Sequence, residues 1–173
     1  GIARALATGA DLLLMDEAFS ALDPLTRSEM QNLLLKLQSD LKKTIIFITH
    51  DLNEALRIGD RVAILRDGFM VQEDEPQNII LNPVDNYISN FTSEIERGKF
   101  IKVSAVMERN GGGSQLTLSP NMTINEALQK FGFYGLDRAD VIDKNDNLVG
   151  HVKLNKIINA LVPPEENDTK DRY

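Results

Sequence analysis

The stretch Leu12-Leu13-Leu14-Met15-Asp16-Glu17 decides the fold of this chain, because four apolar residues lead directly into two adjacent carboxylates. A short, uninterrupted apolar run predicts a β-strand that is buried on both faces. The two acids then lie at the carboxyl end of the strand, the edge at which open α/β sheets bind ligands. Paired carboxylates there suit a metal–phosphate site, in which one acid holds Mg²⁺ and the other acts on an attacking water. The alternative is a solvated turn before a helix cap.

Turn and cap residues divide the next part of the chain into further helices and strands. Asp23-Pro24 predicts a helix start, with aspartate as the N-cap and proline in the first turn. The β-branched and apolar run Thr44–Ile48 predicts a second buried strand, which ends at Thr49-His50-Asp51. Asp51 can cap the helix that follows. A third strand over residues 61–66 and a hairpin turn at Asp67-Gly68 complete the pattern of an α/β sheet.

Beyond residue 97 the pattern is that of a second, smaller unit. The glycine-rich stretch 110–114 predicts a flexible loop. Thr123 and Glu126 have capping-box spacing before a helix, and a β-hairpin and a last helix are predicted to follow. From residue 163 the chain is polar and acidic, which predicts disorder. We therefore expect domains over 1–97 and 98–162, and an acidic tail over 163–173.

Composition narrows the classes of function. The 173 residues carry a net charge of −7, which argues against a broad nucleic-acid surface. The absence of cysteine excludes disulfides and thiolate metal sites. No apolar run approaches the ~20 residues of a membrane helix. The first residues, Gly1–Ala7, read as the inside of a helix without a cap, so we expect the chain to be the C-terminal part of a longer protein.

Three motifs follow one another along the chain: Asp16-Glu17, Ser20-Ala21-Leu22-Asp23 and His50-Asp51. Together they resemble the second half of an ABC-type ATPase, a P-loop NTPase with a parallel sheet core. Residues 15–27 and 47–71 resemble most closely the ATP-binding subunits of importers for glycine betaine, proline and other quaternary-amine osmoprotectants. This resemblance covers residues 1–95.

The resemblance implies a role for each motif residue. Asp16 corresponds to the Walker B aspartate, which binds Mg²⁺ directly or through water. Glu17 corresponds to the catalytic base that polarises the attacking water. Asp23 corresponds to the D-loop aspartate, which acts on the nucleotide site across a dimer interface. His50 corresponds to the switch histidine, which contacts the γ-phosphate of ATP.

The resemblance also implies an activity and partners. The expected protein is an ATPase subunit that works as two copies with a membrane permease, at the cytoplasmic face of the cell membrane, and indirectly with a substrate-binding protein. The chain contains no Gly-x-x-x-x-Gly-Lys-Ser/Thr loop and no glycine-rich signature loop. We therefore expect the whole protein to hydrolyse ATP and this chain alone to be inactive.

Residues 100–162 resemble a CBS-type regulatory module, a small α+β fold. The resemblance rests on Val106-Met107, on residues 122–128, and on the hairpin residues 140–150. Nucleotide-binding modules of this type carry threonine and aspartate where this chain has Lys153 and Lys156. The lysines could meet the phosphates of a nucleotide or cyclic dinucleotide, or the head groups of anionic lipids. Alternatively, they form an ordinary exposed helix start.

Two other functions stay open at this point. The chain could be a regulatory fragment whose only self-contained property is ligand or membrane sensing by the CBS-like module. It could also belong to the ATPase of an importer for another amine or for an amino acid.

Overall fold

A computed structural model describes residues 10–163, which divide into two compact units at Asp60/Arg61. The helix expected over Gly1–Ala7 and all but the first residue of the expected acidic tail lie outside the described residues. The domain boundary expected at residues 97/98 separates the ATPase-like part of the sequence from the CBS-like module. It stays a prediction.

The first unit contains a parallel pair of strands. Its elements in chain order are β1 (Leu12–Asp16), α1 (Pro24–Leu41), β2 (Thr44–Ile48) and α2 (Leu52–Ile58). Both predicted strands are therefore present with almost unchanged bounds. Strand β1 pairs with β2 over its full length, from Leu12 opposite Thr44 to Asp16 opposite Ile48. Parallel pairing brings the carboxyl ends of both strands to one edge.

One face of this two-stranded sheet is covered and the other is open. Leu13 and Met15 are buried with Phe19 and Leu34, and Phe47 packs against them. On the other face Leu14 is 73% exposed, and Leu12, Ile46 and Ile48 are exposed as well. The prediction that β1 is buried on both faces is therefore wrong, because alternate side chains of a strand point to opposite faces and the described part of this unit covers only one.

The caps of both helices follow the sequence signals. Asp23 accepts hydrogen bonds from the backbone amides of Leu25 and Thr26, each at 3.1 Å, and Pro24 occupies the first turn of α1. Asp51 accepts a hydrogen bond from the Glu54 amide at 3.3 Å and begins α2.

A polar network joins the two helices of the first unit. Gln31 of α1 donates to the buried carboxylate of Glu54 at 2.9 Å. Arg57 of α2 donates to Gln31 at 2.9 Å and to Ser28 at 3.1 Å, and to Asn32 at 2.8 Å. Each buried polar atom that is paired in this way avoids the cost of desolvation without a partner.

The second unit begins with a separate antiparallel hairpin. Strand β3 (Val62–Arg66) pairs with β4 (Phe69–Asp74). The turn residues Asp67 and Gly68 have φ of 54° and 84°, as a two-residue hairpin turn requires. Among the described residues β3 pairs only with β4. The predicted third strand and its hairpin turn are therefore present, as an antiparallel pair.

Short helices connect this hairpin to a β–α–β–β–α module. The connecting elements are α3 (Pro76–Leu81), α4 (Asn86–Phe91), α5 (Arg97–Phe100) and a 3₁₀ turn (Val103–Ala105). The module consists of β5 (Thr117–Leu118), α6 (Ile124–Tyr134), β6 (Arg138–Ile142), β7 (Leu148–Lys153) and α7 (Leu154–Leu161). Strand β6 is central, parallel to β5 and antiparallel to β7. The predicted fold class, an α/β unit with a parallel sheet core followed by a small α+β module, is confirmed, and the described part of the parallel sheet has two strands.

Arg97 is a buried cation at the junction between the short helices and the module. It is only 5% exposed, and burial lowers the pKa of its guanidinium group. Its Nε donates to the carbonyl of Ala160 and its Nη1 to the carbonyl of Ile80, both at 2.9 Å. These carbonyls lie in the last turns of α7 and α3, where the helix dipole is negative. Arg97 thus joins three helices without a carboxylate partner among the described residues.

The described helices include none with both the length and the apolar character that crossing a membrane requires.

Glu126→Gln is expected to destabilise the second unit at neutral pH by about 0.3–1 kcal/mol. The Thr123 amide and hydroxyl both donate to the Glu126 carboxylate at 2.8 Å, and these bonds hold the pKa of Glu126 below its usual value. A lowered folded-state pKa stabilises the fold above the ordinary carboxyl pKa, and this contribution is lost as the pH falls through the lowered value. The difference between variant and wild type should therefore shrink and disappear as the pH falls through the lowered pKa of Glu126.

Urea unfolding followed by tyrosine fluorescence measures this effect. Tyr87 and Tyr134 belong to the second unit, residues 1–60 contain no tyrosine, and the sequence contains no tryptophan. Glu94→Gln, at another exposed glutamate of this unit, is the control and should show no comparable loss. A destabilisation by Glu126→Gln that does not change with pH would contradict the prediction.

Candidate active site

The carboxyl edge of the parallel pair brings Asp16, Glu17 and His50 into one small region. Asp16 is the last residue of β1 and lies opposite Ile48 of β2. The Glu17 amide donates to the Ile48 carbonyl at 2.9 Å, which continues the pairing by one step. His50 follows β2 by two residues, and its Nδ1 lies 3.1 Å from Oε1 of Glu17. The structure thus places two of the predicted site residues in direct contact.

Hydrogen bonds rather than burial hold this pair. The side chains of His50 and Glu17 are 72% and 50% exposed. Glu17 has a φ of 43°, in the left-handed region that side chains other than glycine rarely adopt. The Ser20 amide and hydroxyl both donate to the Glu17 carbonyl, at 3.2 and 2.9 Å. These bonds stabilise a strained conformation, and such strain is concentrated at functional sites.

Asp16 offers a carboxylate at this edge without a complete set of metal ligands. Its side chain is exposed, and no group of three or more possible side-chain ligands comes together anywhere in residues 10–163. Mg²⁺ keeps several waters and binds through one or two carboxylates together with substrate phosphates. Asp16 fits that coordination chemistry, with the remaining ligands supplied by water and phosphate.

The hydrogen bonds of Asp23 are with the first turn of α1 rather than with the Glu17–His50 pair. Its carboxylate is used by the first amides of α1, and the hydrogen bond from Thr26 lowers the pKa of this exposed carboxyl. The predicted N-cap is thereby confirmed.

Arg27 contacts both loops at this edge, and the sequence interpretation missed it. Its Nη2 donates to the carbonyls of Leu22 at 3.1 Å and Ser20 at 3.5 Å, and its Nη1 lies 3.7 Å from Asp51. The available signal was its place in the first turn of α1, since helical side chains point toward the N-terminus of their helix. Arg27 therefore reaches back to the loop that precedes α1.

The two lysines of the CBS-like module have different environments. Lys156 lies in the first turn of α7, and its Nζ is 3.5 Å from Glu108, whose other oxygen is 3.4 Å from Nε2 of the buried His151. Lys153 ends β7 and borders an open cleft of about 270 Å³ with Asp137, Arg138 and Asn155. Only Lys153 of the two therefore faces this cleft.

No protein-family model matches the chain, but curated proteins match most of it. A trimethylamine N-oxide transport system ATP-binding protein of Pelagibacter ubique is 45% identical over 168 residues, 96% of this chain and 49% of that protein. A glycine betaine/carnitine transport ATP-binding protein of Listeria monocytogenes is 47% identical over 152 residues, 88% of this chain and 37% of that protein. A glycine betaine/proline betaine transport system ATP-binding protein of Escherichia coli is 39% identical over 168 residues, 97% of this chain and 42% of that protein.

The chain belongs to this family of ABC-type transport ATP-binding proteins. The predicted family, the ATP-binding subunits of quaternary-amine importers, is confirmed. The longer alignments span 96% and 97% of this chain and therefore include residues of both units. The chain spans about half the length of these relatives or less.

Solved structures match parts of this family member. CbiO1 of Clostridium perfringens, part of an ABC transporter complex, covers 56% of this chain with a TM-score of 0.44 and 28% identity, over 38% of its own length. A CBS domain protein of Shewanella oneidensis covers 65% of the chain with a TM-score of 0.27 and 18% identity, over 82% of its own length.

Glu17→Gly is expected to be more stable than Glu17→Ala by about 1 kcal/mol, because glycine adopts a positive φ without the steric cost that alanine has. Amide hydrogen exchange of β1 and β2 would measure the difference as a local opening free energy. Lys36, an exposed residue inside α1, is the matched control, since there alanine should be the more stable replacement. If position 17 follows the order of position 36, the backbone at Glu17 is not strained.

Proposed function

We propose that this chain is part of an ATP-hydrolysing subunit of an ABC importer for glycine betaine, proline betaine or related osmoprotectants. The observation that carries the proposal is the contact between Glu17 and His50 at the carboxyl edge of the parallel pair. The relatives supply the substrate class, since the names of those found in Listeria and Escherichia coli both include glycine betaine.

The proposed mechanism assigns one task to each side chain at the edge. Glu17 orients and polarises the attacking water, and its exposed carboxylate is accessible to that water. His50 holds the Glu17 carboxylate through Nδ1, which leaves its other ring nitrogen available to contact the γ-phosphate. Asp16 would hold Mg²⁺, which would neutralise charge on the phosphates of ATP.

The proposed partners follow from the same family assignment. Asp23 lies on an exposed loop at the start of α1, where a second copy of the subunit can approach it and complete the nucleotide site. A membrane permease couples ATP turnover to transport, with a substrate-binding protein acting indirectly. This arrangement places the subunit at the cytoplasmic face of the cell membrane.

Glu17→Gln tests the proposal in the full-length protein reconstituted with its permease. We expect ATP turnover to fall about a hundredfold or more, the usual contribution of a general base, while ATP stays bound. Glu29→Gln, at an exposed glutamate of α1, is the matched control and should turn over ATP like the wild type. Unchanged turnover in Glu17→Gln would mean that the carboxylate pair is a structural turn.

Regulation by the CBS-like module is the second part of the proposal, and Lys153 is its candidate contact. Lys153 lies opposite Arg138 in the β6–β7 ladder, and like charges in this arrangement repel unless an anion lies between them. The favoured ligand chemistry is a phosphate group. Lys156, which is paired with Glu108, is the weaker of the two predicted contacts.

Lys153→Glu should shift the salt concentration at which the transporter, reconstituted in lipid vesicles, begins to hydrolyse ATP. A shift only in vesicles with anionic lipid would identify head groups as the ligand. A response to added AMP in neutral vesicles that the variant loses would identify a nucleotide. Lys102→Glu, at another exposed lysine of the second unit, is the control. If both variants behave like the wild type, Lys153 is an ordinary exposed residue.

A further inference from the structure

We propose that Arg27 is a positioning residue that fixes the loop after Glu17 relative to the loop after His50. This inference rests on the proposed ATPase function, since it assigns Arg27 a part in the same reaction. The hydrogen bonds and the ion pair of Arg27 are with Leu22, Ser20 and Asp51 rather than with Glu17 or His50, so it acts through their neighbours.

One guanidinium group reaches both loops. Its Nη2 donates to two successive turns of the loop between Glu17 and α1, at the carbonyls of Leu22 and Ser20. Its Nη1 approaches the carboxylate of Asp51, the residue directly after His50. The planar fork of arginine can make such divergent contacts from a fixed geometry, whereas the single ammonium group of lysine cannot.

Two of the groups that Arg27 contacts, Ser20 and Asp51, are one step from the Glu17–His50 pair. Ser20 binds the Glu17 carbonyl through its amide and hydroxyl and receives Arg27 at its own carbonyl. Asp51 is fixed at the start of α2 by the Glu54 amide, and its own amide donates to Thr49 at 3.0 Å. Arg27 thus links Ser20, which binds the Glu17 carbonyl, to Asp51, which directly follows His50.

This link matters because little else holds the two side chains. Both are half exposed or more, so packing does not define their positions. An ion pair as exposed as that of Arg27 with Asp51, at 32% and 37%, adds little to the stability of the fold. A displacement of about 1 Å in a reacting group can nevertheless cost about a hundredfold in rate. Arg27 should therefore affect turnover much more than stability.

Arg57 provides a matched comparison within the same unit. It also projects from a helix and makes several hydrogen bonds, but its partners Ser28, Gln31 and Asn32 all belong to α1. It therefore joins α1 to α2 without contacting either loop. A merely structural arginine in this unit should behave like Arg57.

The experiment compares Arg27→Gln, Arg27→Lys and Arg57→Gln in the full-length protein reconstituted with its permease. For Arg27→Gln we expect kcat to fall about tenfold to a hundredfold, with KM for ATP and the melting temperature little changed. Arg27→Lys should recover part of kcat, because it keeps the charge that faces Asp51. Arg57→Gln should keep the wild-type kcat and lower the melting temperature.

A double-mutant cycle adds a readout of the link itself. Asp51→Asn keeps a side chain that can cap α2 but removes the charge that faces Arg27. If Arg27 acts through Asp51, the effects of Arg27→Gln and Asp51→Asn on kcat should be less than additive.

The outcomes separate this inference from the proposed function. If wild type hydrolyses ATP, Glu17→Gln abolishes turnover and Arg27→Gln keeps the wild-type kcat, the inference is overturned and the function stands. If kcat falls equally in Arg27→Gln and Arg57→Gln in step with the melting temperature, Arg27 is only structural. If wild type and Glu17→Gln have the same turnover, the proposed function itself fails.

Discussion

The parallel pairing of β1 with β2 is the constraint on which the candidate active site depends. Two strands that run in the same direction must end at the same edge, so the residues that follow them become neighbours although 33 positions separate Glu17 from His50. The bond from the Glu17 amide to the Ile48 carbonyl extends this pairing into the loops. The sheet thereby determines where the carboxylate and the imidazole meet.

The same site depends on hydrogen-bonded loops more than on a packed core. The buried cluster joins Leu13 and Met15 of β1 to Phe19 and Leu34, whereas the proposed reacting groups lie in exposed turns beyond the strands. Such an arrangement leaves a carboxylate open to water and phosphate and still limits its position through backbone contacts. This arrangement strains the backbone at Glu17. It also makes the position of the carboxylate depend on a small number of hydrogen bonds.

Local signals in the sequence predicted the local features well. Both parallel strands, the caps Asp23 and Asp51, and the capping box of Thr123 with Glu126 were predictable, because each depends on residues within a few positions. Arg27 and Arg97 were not, because their partners lie as far as 24 and 63 positions away and carry no motif. The open face of β1 could not be predicted either. An apolar run indicates that a strand can be buried, but it does not indicate which other elements pack on each face.

Arg97 has a practical consequence for how this protein can be divided. The domain boundary predicted from the sequence at residues 97/98 lies beside this residue, yet its guanidinium group satisfies carbonyls of α3 and α7 on either side of that boundary. A recombinant regulatory module that starts at residue 98 would lose the cation that closes the end of its last helix. A domain-swap chimera joined there would inherit the same defect, so a cut before α3 preserves the module better.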